Sequence, residues 1–297
     1  MPLGSWLRPV GPANGLDLVL RLTLVELLLR PMGPWFVSAF MLLLALLGLI
    51  SIVVLRAPAT WLTLAALIAV HLMVDWPLPD NHLYLLAYWC LGAGIALRLC
   101  EPSQALAQTG RQLLGLAFAF AVLWKAVLSP DYRDGRFFAV TMLTDDRFAD
   151  TVQLFGGLTK AQLVDSREYL TPLPEGAELL HAPHLGVTPR FWWLVRVATW
   201  CGLALEAAIA MLWLAPIRSG ALLAARHVAV LLFCVGTYAF APVAGFGWLL
   251  LVLGLATTTA DQRRFRVAYV STFCVVLLYA EIPWASIVVA GLAASRV

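Results

Sequence analysis

Two lysines, Lys125 and Lys160, stand against eighteen arginines in this sequence. Lys125 sits within the apolar run 121–128, which leads into the polar stretch Ser129-Pro130-Asp131-Tyr132-Arg133-Asp134-Gly135. Arginine keeps its proton in proteins, whereas a desolvated lysine can release one, so an amine placed in a hydrophobic segment is a candidate general base. Other ionisable groups also fall inside apolar segments. His71 and Asp75 are four residues apart and so share a helix face. Asn81 and His82 open one segment, Glu206 lies inside another, Arg226 and His227 inside a third, and Glu281 in the last. Such residues are costly in lipid and tend to face a cavity or one another. Simpler readings exist for each. Lys125 can snorkel to the headgroups, Asn81 can cap a helix, His71 and His227 can bridge helices, and Glu206 can pair with Arg226.

The elements that must position these groups follow from composition. The chain is 62% hydrophobic and 12% charged, with a mean hydropathy of +0.86. A soluble domain is about half apolar and a quarter charged. The apolar blocks are near the ~20 residues needed to cross a bilayer. The expected fold is therefore all-α and polytopic: a bundle of about eight or nine transmembrane helices with one exoplasmic helical loop, forming a single domain over 1–297. The spans are read at 35–55, 60–76, 82–99, 110–128, 191–214, 219–240, 244–259 and 267–290. Residues 15–30, which carry Asp17, Arg21, Glu26 and Arg30, are amphipathic or buried in the bundle and are a possible ninth. Residues 129–190 hold nine acidic and six basic residues, with apolar positions that predict two or three short amphipathic helices. No cleavable signal peptide is expected at 1–14.

A net charge of +3 without a basic run gives no reason to expect nucleic acid. The five cysteines match neither a zinc site nor a redox pair and read as small packing residues, and no metal is expected. Trp35, Trp61, Trp76, Trp192, Trp193 and Trp284 lie near span ends and read as interfacial anchors. Arg56, Arg98, Arg111, Arg218, Arg263, Arg264 and Arg266 collect on one side, which the positive-inside rule assigns to the cytoplasm. The 129–190 loop is then exoplasmic, with Arg30 discordant. On this scheme Lys125, Asn81, His82, His71, Asp75 and Glu281 share the exoplasmic half, around an outward-opening polar cavity. His227 is roughly mid-membrane, and Glu206 is in the cytoplasmic half.

Three segments resemble a known family. Trp76-Pro77-Leu78-Pro79-Asp80-Asn81-His82-Leu83-Tyr84-Leu85 is similar to the W…NHxYL segment of vitamin K-dependent gamma-glutamyl carboxylase and of the related bacterial horizontally transferred transmembrane (HTTM) domain. Lys125 with Asp131-Tyr132-Arg133-Asp134-Gly135 resembles that family's K…DW..G segment. Arg226-His227 followed by Leu232-Phe233-Cys234-Val235-Gly236 resembles its third signature, and Glu206 fits an acidic residue that these proteins often carry one span earlier. The resemblance covers about residues 35–259. It implies a membrane enzyme that uses a reduced naphthoquinone of the vitamin K or menaquinol type, with oxygen and carbon dioxide as co-substrates, to drive proton abstraction and carboxylation of a peptide or small substrate. It makes Lys125 the base, with Asn81 and His82 as donors to a developing oxyanion. His227, Trp124 and Tyr84 would contact the quinone, and Asp131, Tyr132, Glu281, His71 and Asp75 would support the site or the substrate.

The sequence departs from the family at the bulky Leu123-Trp124, expected to narrow the space beside the amine, at Tyr132 in place of Trp, and at Tyr238-Ala239-Phe240-Ala241-Pro242. The large exoplasmic domain with which the animal carboxylase grips its propeptide is expected to be absent. The partners expected are the bilayer and an exported peptide or a membrane subunit. A non-catalytic scaffold or helper subunit is the alternative, and a small-solute or proton carrier the third.

Overall fold

The computed structural model describes residues 12–77, 80–170, 176, 186–217, 219–240 and 245–279. These residues are helical throughout, with no strand. The helices are α1 (Pro12–Leu29), α2 (Trp35–Ile50), α3 (Ile52–Arg56), α4 (Pro58–Val74), α5 (Asn81–Ala96), α6 (Pro102–Leu123), α7 (Pro130–Arg133), α8 (Arg136–Thr144), α9 (Ala149–Thr151), α10 (Lys160–Leu170), α11 (Pro189–Leu214), α12 (Gly220–Phe240), α13 (Phe246–Ala256) and α14 (Arg263–Tyr279). Among the described residues, three helices are long and apolar enough to cross a membrane: Pro102–Leu128, Pro189–Leu214 and Gly220–Ala239. Shorter apolar helices lie at Trp35–Ile50, Pro58–Val74 and Phe246–Ala256.

The chain divides into two compact units. The first comprises Met1–Phe118, Ile209–Val235 and Val243–Leu277. Its innermost helix is α13, buried from Gly247 to Leu255, as a helix apolar on every face should be. Helix α1 packs against it and against α2, with Leu20, Leu24, Leu27, Thr23 and Glu26 all buried. Of the two readings open for residues 15–30, the bundle-buried one holds. Helix α2 turns only Val37, Met41, Ala45 and Gly48 inward and exposes Phe36, Phe40, Leu43 and Leu47. An apolar face left bare in this way suits lipid rather than water.

Two expectations change here. The span read as 35–55 breaks at Ser51, whose extended backbone ends α2 while its hydroxyl accepts from the Val54 N–H to start α3. Trp61 is no interfacial anchor: it is fully buried and donates from Nε1 to the Leu55 carbonyl at 2.7 Å. Trp35, Trp76 and Trp193 are exposed as expected, and Trp284 lies outside the described residues. Of the cysteines, Cys90 and Cys234 are packed inside, but Cys100, Cys201 and Cys274 are exposed.

The second unit comprises Ala119–Ala208, Gly236–Pro242 and Leu278–Val297. Its core joins the polar stretch to a span. Ala139, Met142 and Leu143 of α8, Val152, Leu158, and Leu163 of α10 bury against Phe191 and Val195 of α11. Helices α8 and α10 are the amphipathic pieces the sequence predicts, and α7 and α9 are single turns. At the other edge of this cap, Asp145 receives the Arg147 backbone N–H at 3.0 Å and its guanidinium at 2.6 Å. Arg167 reaches from α10 to the Leu143 carbonyl and to Asp146.

Candidate functional site

After Leu123 the α6 helix widens into a π-helical turn, Trp124–Leu128, which carries Lys125. Single π turns are uncommon and often mark functional positions because they re-aim one side chain. Lys125 Nζ donates to Glu206 Oε1 on α11. It also stands 5.0 Å from the centroid of the Tyr132 ring, within the range of a cation–π contact. The Glu206 side chain is 8% exposed and that of Lys125 is 24% exposed. Glu206 Oε2 is buried without a hydrogen-bond partner among the described residues. Tyr132 is itself buried between Phe137 and Phe138. That burial pushes its phenol up, and the Glu206 carboxylate adds to the shift.

Helix α11 supplies the receiving surface. Val195, Thr199, Gly202 and Glu206 are spaced four, three and four apart and so form one stripe. Gly135, Tyr132 and Lys125 lie along it in reverse chain order. Gly135 adopts φ +87, and a Cβ there would stand 2.9 Å from Val195 Cγ1. The Tyr132 hydroxyl lies 3.8 Å from where a Gly202 Cβ would be. Lys125 then meets Glu206. Only glycine suits position 135, on two counts: its backbone hand and its distance from α11. The motif 131–135 thus has a mechanical role, to press Tyr132 and the π turn onto α11.

The expected depths need correcting. Lys125 and Glu206 were placed in opposite halves of the membrane, yet they form an ion pair. Phe191 and Val195 are committed to the core of the cap, so the first turns of α11 rise above the level of the π turn. Glu206 follows Pro189 by about 26 Å along the axis, at 1.5 Å per residue. The carboxylate that the sequence offered to Arg226 is taken by Lys125, and within the first unit the Arg226 guanidinium lies over the Trp213 ring at 4.7 Å. Leu123 and Trp124 are exposed at 48% and 62%, so neither crowds the amine. Asp131 is on the surface in an ion pair with Arg136 at 2.6 Å.

His71, Asp75, Asn81, His82, Tyr84 and His227 belong to the first unit. His71 Nδ1 lies 3.3 Å from Asp75 Oδ2, as their spacing predicts, although the geometry falls short of a hydrogen bond. Asn81 is the exposed first residue of α5, and the N-cap is Asp80. His82 and Tyr84 are half-buried on that helix. His82 Nε2 and the Arg30 guanidinium both face Gly245, which has φ +91. Arg30, discordant by the orientation rule, is thus a cation beside His82, and that discordance was the signal for it. His227 is fully buried in an aromatic cage: Nδ1 meets the Tyr269 hydroxyl at 3.1 Å, Phe265 is 4.8 Å away and Trp213 5.7 Å. Its Nε2 has no hydrogen-bond partner among the described residues. Glu281 lies outside the described residues. Among the described residues no group of His, Cys, Asp and Glu is placed to hold a metal ion.

No protein-family model, curated protein or solved structure matches the chain.

Proposed function

We propose that the chain is an integral membrane enzyme of the carboxylase-like kind its three motifs resemble, with Lys125 and Glu206 as its proton-handling pair. The observation that carries this reading is the bare, buried Oε2 of Glu206 beside a partly accessible amine. A reduced naphthoquinone, an apolar ring with hydroxyl donors, has the donor this oxygen lacks. Exposed Trp124, Val127 and Leu128 offer an apolar approach to it from the bilayer. Such a quinol, together with oxygen, would supply the strong base that takes a substrate proton before carbon dioxide is captured.

The chain's own part is narrower. A proton passed from Nζ to Oε1 leaves a neutral amine and a neutral acid, so the pair can exchange it without bringing net charge into the apolar interior. The amine then accepts the next proton. The Tyr132 ring holds the charged Nζ against Glu206 before the proton moves. Hydrogen-bond donation by Asn81 and His82 enters by resemblance. In the same reading α2 with α3, α4, α5, α13 and α14 complete eight or nine spans, with residues 129–190 exoplasmic, which the arginine distribution supports.

In proteoliposomes given a reduced naphthoquinone, oxygen uptake is expected to fall by at least ~100-fold in Lys125→Ala, the usual worth of a general base. Unchanged uptake would remove the enzymatic reading. Mass spectrometry of exported peptides, with and without the protein, then looks for a carbon dioxide increment. A second reading, a scaffold or helper subunit, is favoured by one observation: Lys125 already engages both Glu206 and Tyr132, as a structural ion pair would. It expects Lys125→Arg to be harmless.

A further inference from the structure

In the first unit, where α1, α6 and α14 begin and α13 ends, the helices leave a cavity of about 340 Å³. Val19, Leu106 and Leu255 are buried in its wall, and Thr258 and Arg266 provide its polar side. A concave apolar space of this size with a few converging polar groups is the usual form of a small-ligand site. Arg266 is held in place there. Its Nε donates to Thr258 Oγ1 at 3.2 Å and its Nη2 to the Thr258 carbonyl at 3.4 Å. The guanidinium also lies flat against Gly15, where a Cβ would stand 3.0 Å from Nη2. Its Nη1 has no hydrogen-bond partner among the described residues.

The charges nearby leave the seat positive. Asp17 is engaged by Arg56 through two hydrogen bonds of 2.8 and 2.9 Å. The exposed Asp261 is outnumbered by Arg263, Arg264 and Arg266. A fixed guanidinium at the edge of an apolar cavity calls for a ligand with an anionic head and a hydrocarbon tail. We propose that this cavity binds one anionic phospholipid, its phosphate on Arg266 and an acyl chain against Val19, Leu106 and Leu255. Basic pockets between membrane helices at the arginine-rich end are where anionic headgroups bind. The inference is independent of any chemistry at Lys125.

The test is native mass spectrometry of the full chain released from micelles holding equal phosphatidylglycerol and phosphatidylcholine. Phosphatidylglycerol is expected to be retained about fivefold over phosphatidylcholine, the factor that one arginine near a headgroup supplies. Arg266→Gln should remove the preference by losing the phosphate contact. Ala107→Leu, on the cavity wall, should reduce total lipid retention by filling the space while leaving α6 a good helix. Arg98→Gln, at an exposed position just beyond α5, should change neither. Equal retention of both lipids, a preference that survives Arg266→Gln, or full displacement by matched inorganic phosphate would each overturn the proposal, the last by showing an anion seat with no tail.

Discussion

At the scale of residues, the Lys125–Glu206 pair makes two roles separable. Lys125→Met leaves Glu206 as a lone buried carboxylate and is expected to cost ~3–5 kcal/mol of stability, because an uncompensated charge is worse than no charge. Lys125→Met combined with Glu206→Leu should recover most of that loss in thermal or denaturant unfolding. Activity gives the second reading of the same variants. A catalytic pair stays dead in the double variant, whereas a structural pair regains function with stability. Gly135→Ala is expected to destabilise the second unit by ~1–3 kcal/mol, since it forces a left-handed backbone on alanine and drives its Cβ into Val195. Lys125 should then lose its contact with Tyr132, which loss of protection in the π turn by hydrogen exchange would report.

At the scale of elements, what was legible depended on whether a face meets lipid or protein. Apolar blocks announced the helices because a helix such as α2 is apolar on its exposed face as well as on its buried one. Local chemistry around 125–135 was legible too, because the lysine, the turn and the glycine are near in sequence. The partner was not. Glu206 is eighty-one residues away, and its level depends on how far α11 climbs into the cap, which hydropathy cannot show. Ser51 hid for another reason: a break of one residue leaves the hydrophobic average unchanged. Arg30 was visible but set aside, since its neighbour Gly245 comes from the far side of the chain.

The cap carries its own pH dependence. Hydrogen bonds from the Arg147 side chain, and then from its backbone, hold the Asp145 carboxyl below its ordinary value of 3.8. A depressed carboxyl contributes stability in full above the unfolded value and loses it as pH falls through the folded one. Protection factors in α8 and α10, with the intrinsic pH dependence of exchange divided out, should therefore be flat above pH 5 and fall on acidification below about 3.8. Asp145→Asn should flatten that response.

At the scale of the whole molecule, the proposed topology is open to direct mapping. In a cysteine-free background, a cysteine replacing Lys160 should react with an impermeant thiol reagent added outside intact cells. One replacing Arg263 should react only after the membrane is opened. Both positions are exposed, so labelling of the two from the same side would refute the assigned orientation.

The separation of Lys125 from Glu206 also sets a timetable for biogenesis. At roughly 5–20 residues per second of synthesis, the ribosome takes about 4–16 s to travel from one to the other. For that interval the nascent hairpin carries an ammonium whose counter-ion has not been made. A basic residue at the centre of an inserting helix is penalised by roughly 2.5–3.5 kcal/mol, but Lys125 sits near a helix end, where its stem can lift the amine to the headgroups. Snorkelling and ion pairing are then successive states of one side chain during insertion. Once α11 has been made, Glu206 can take the amine and tie the π turn to α11.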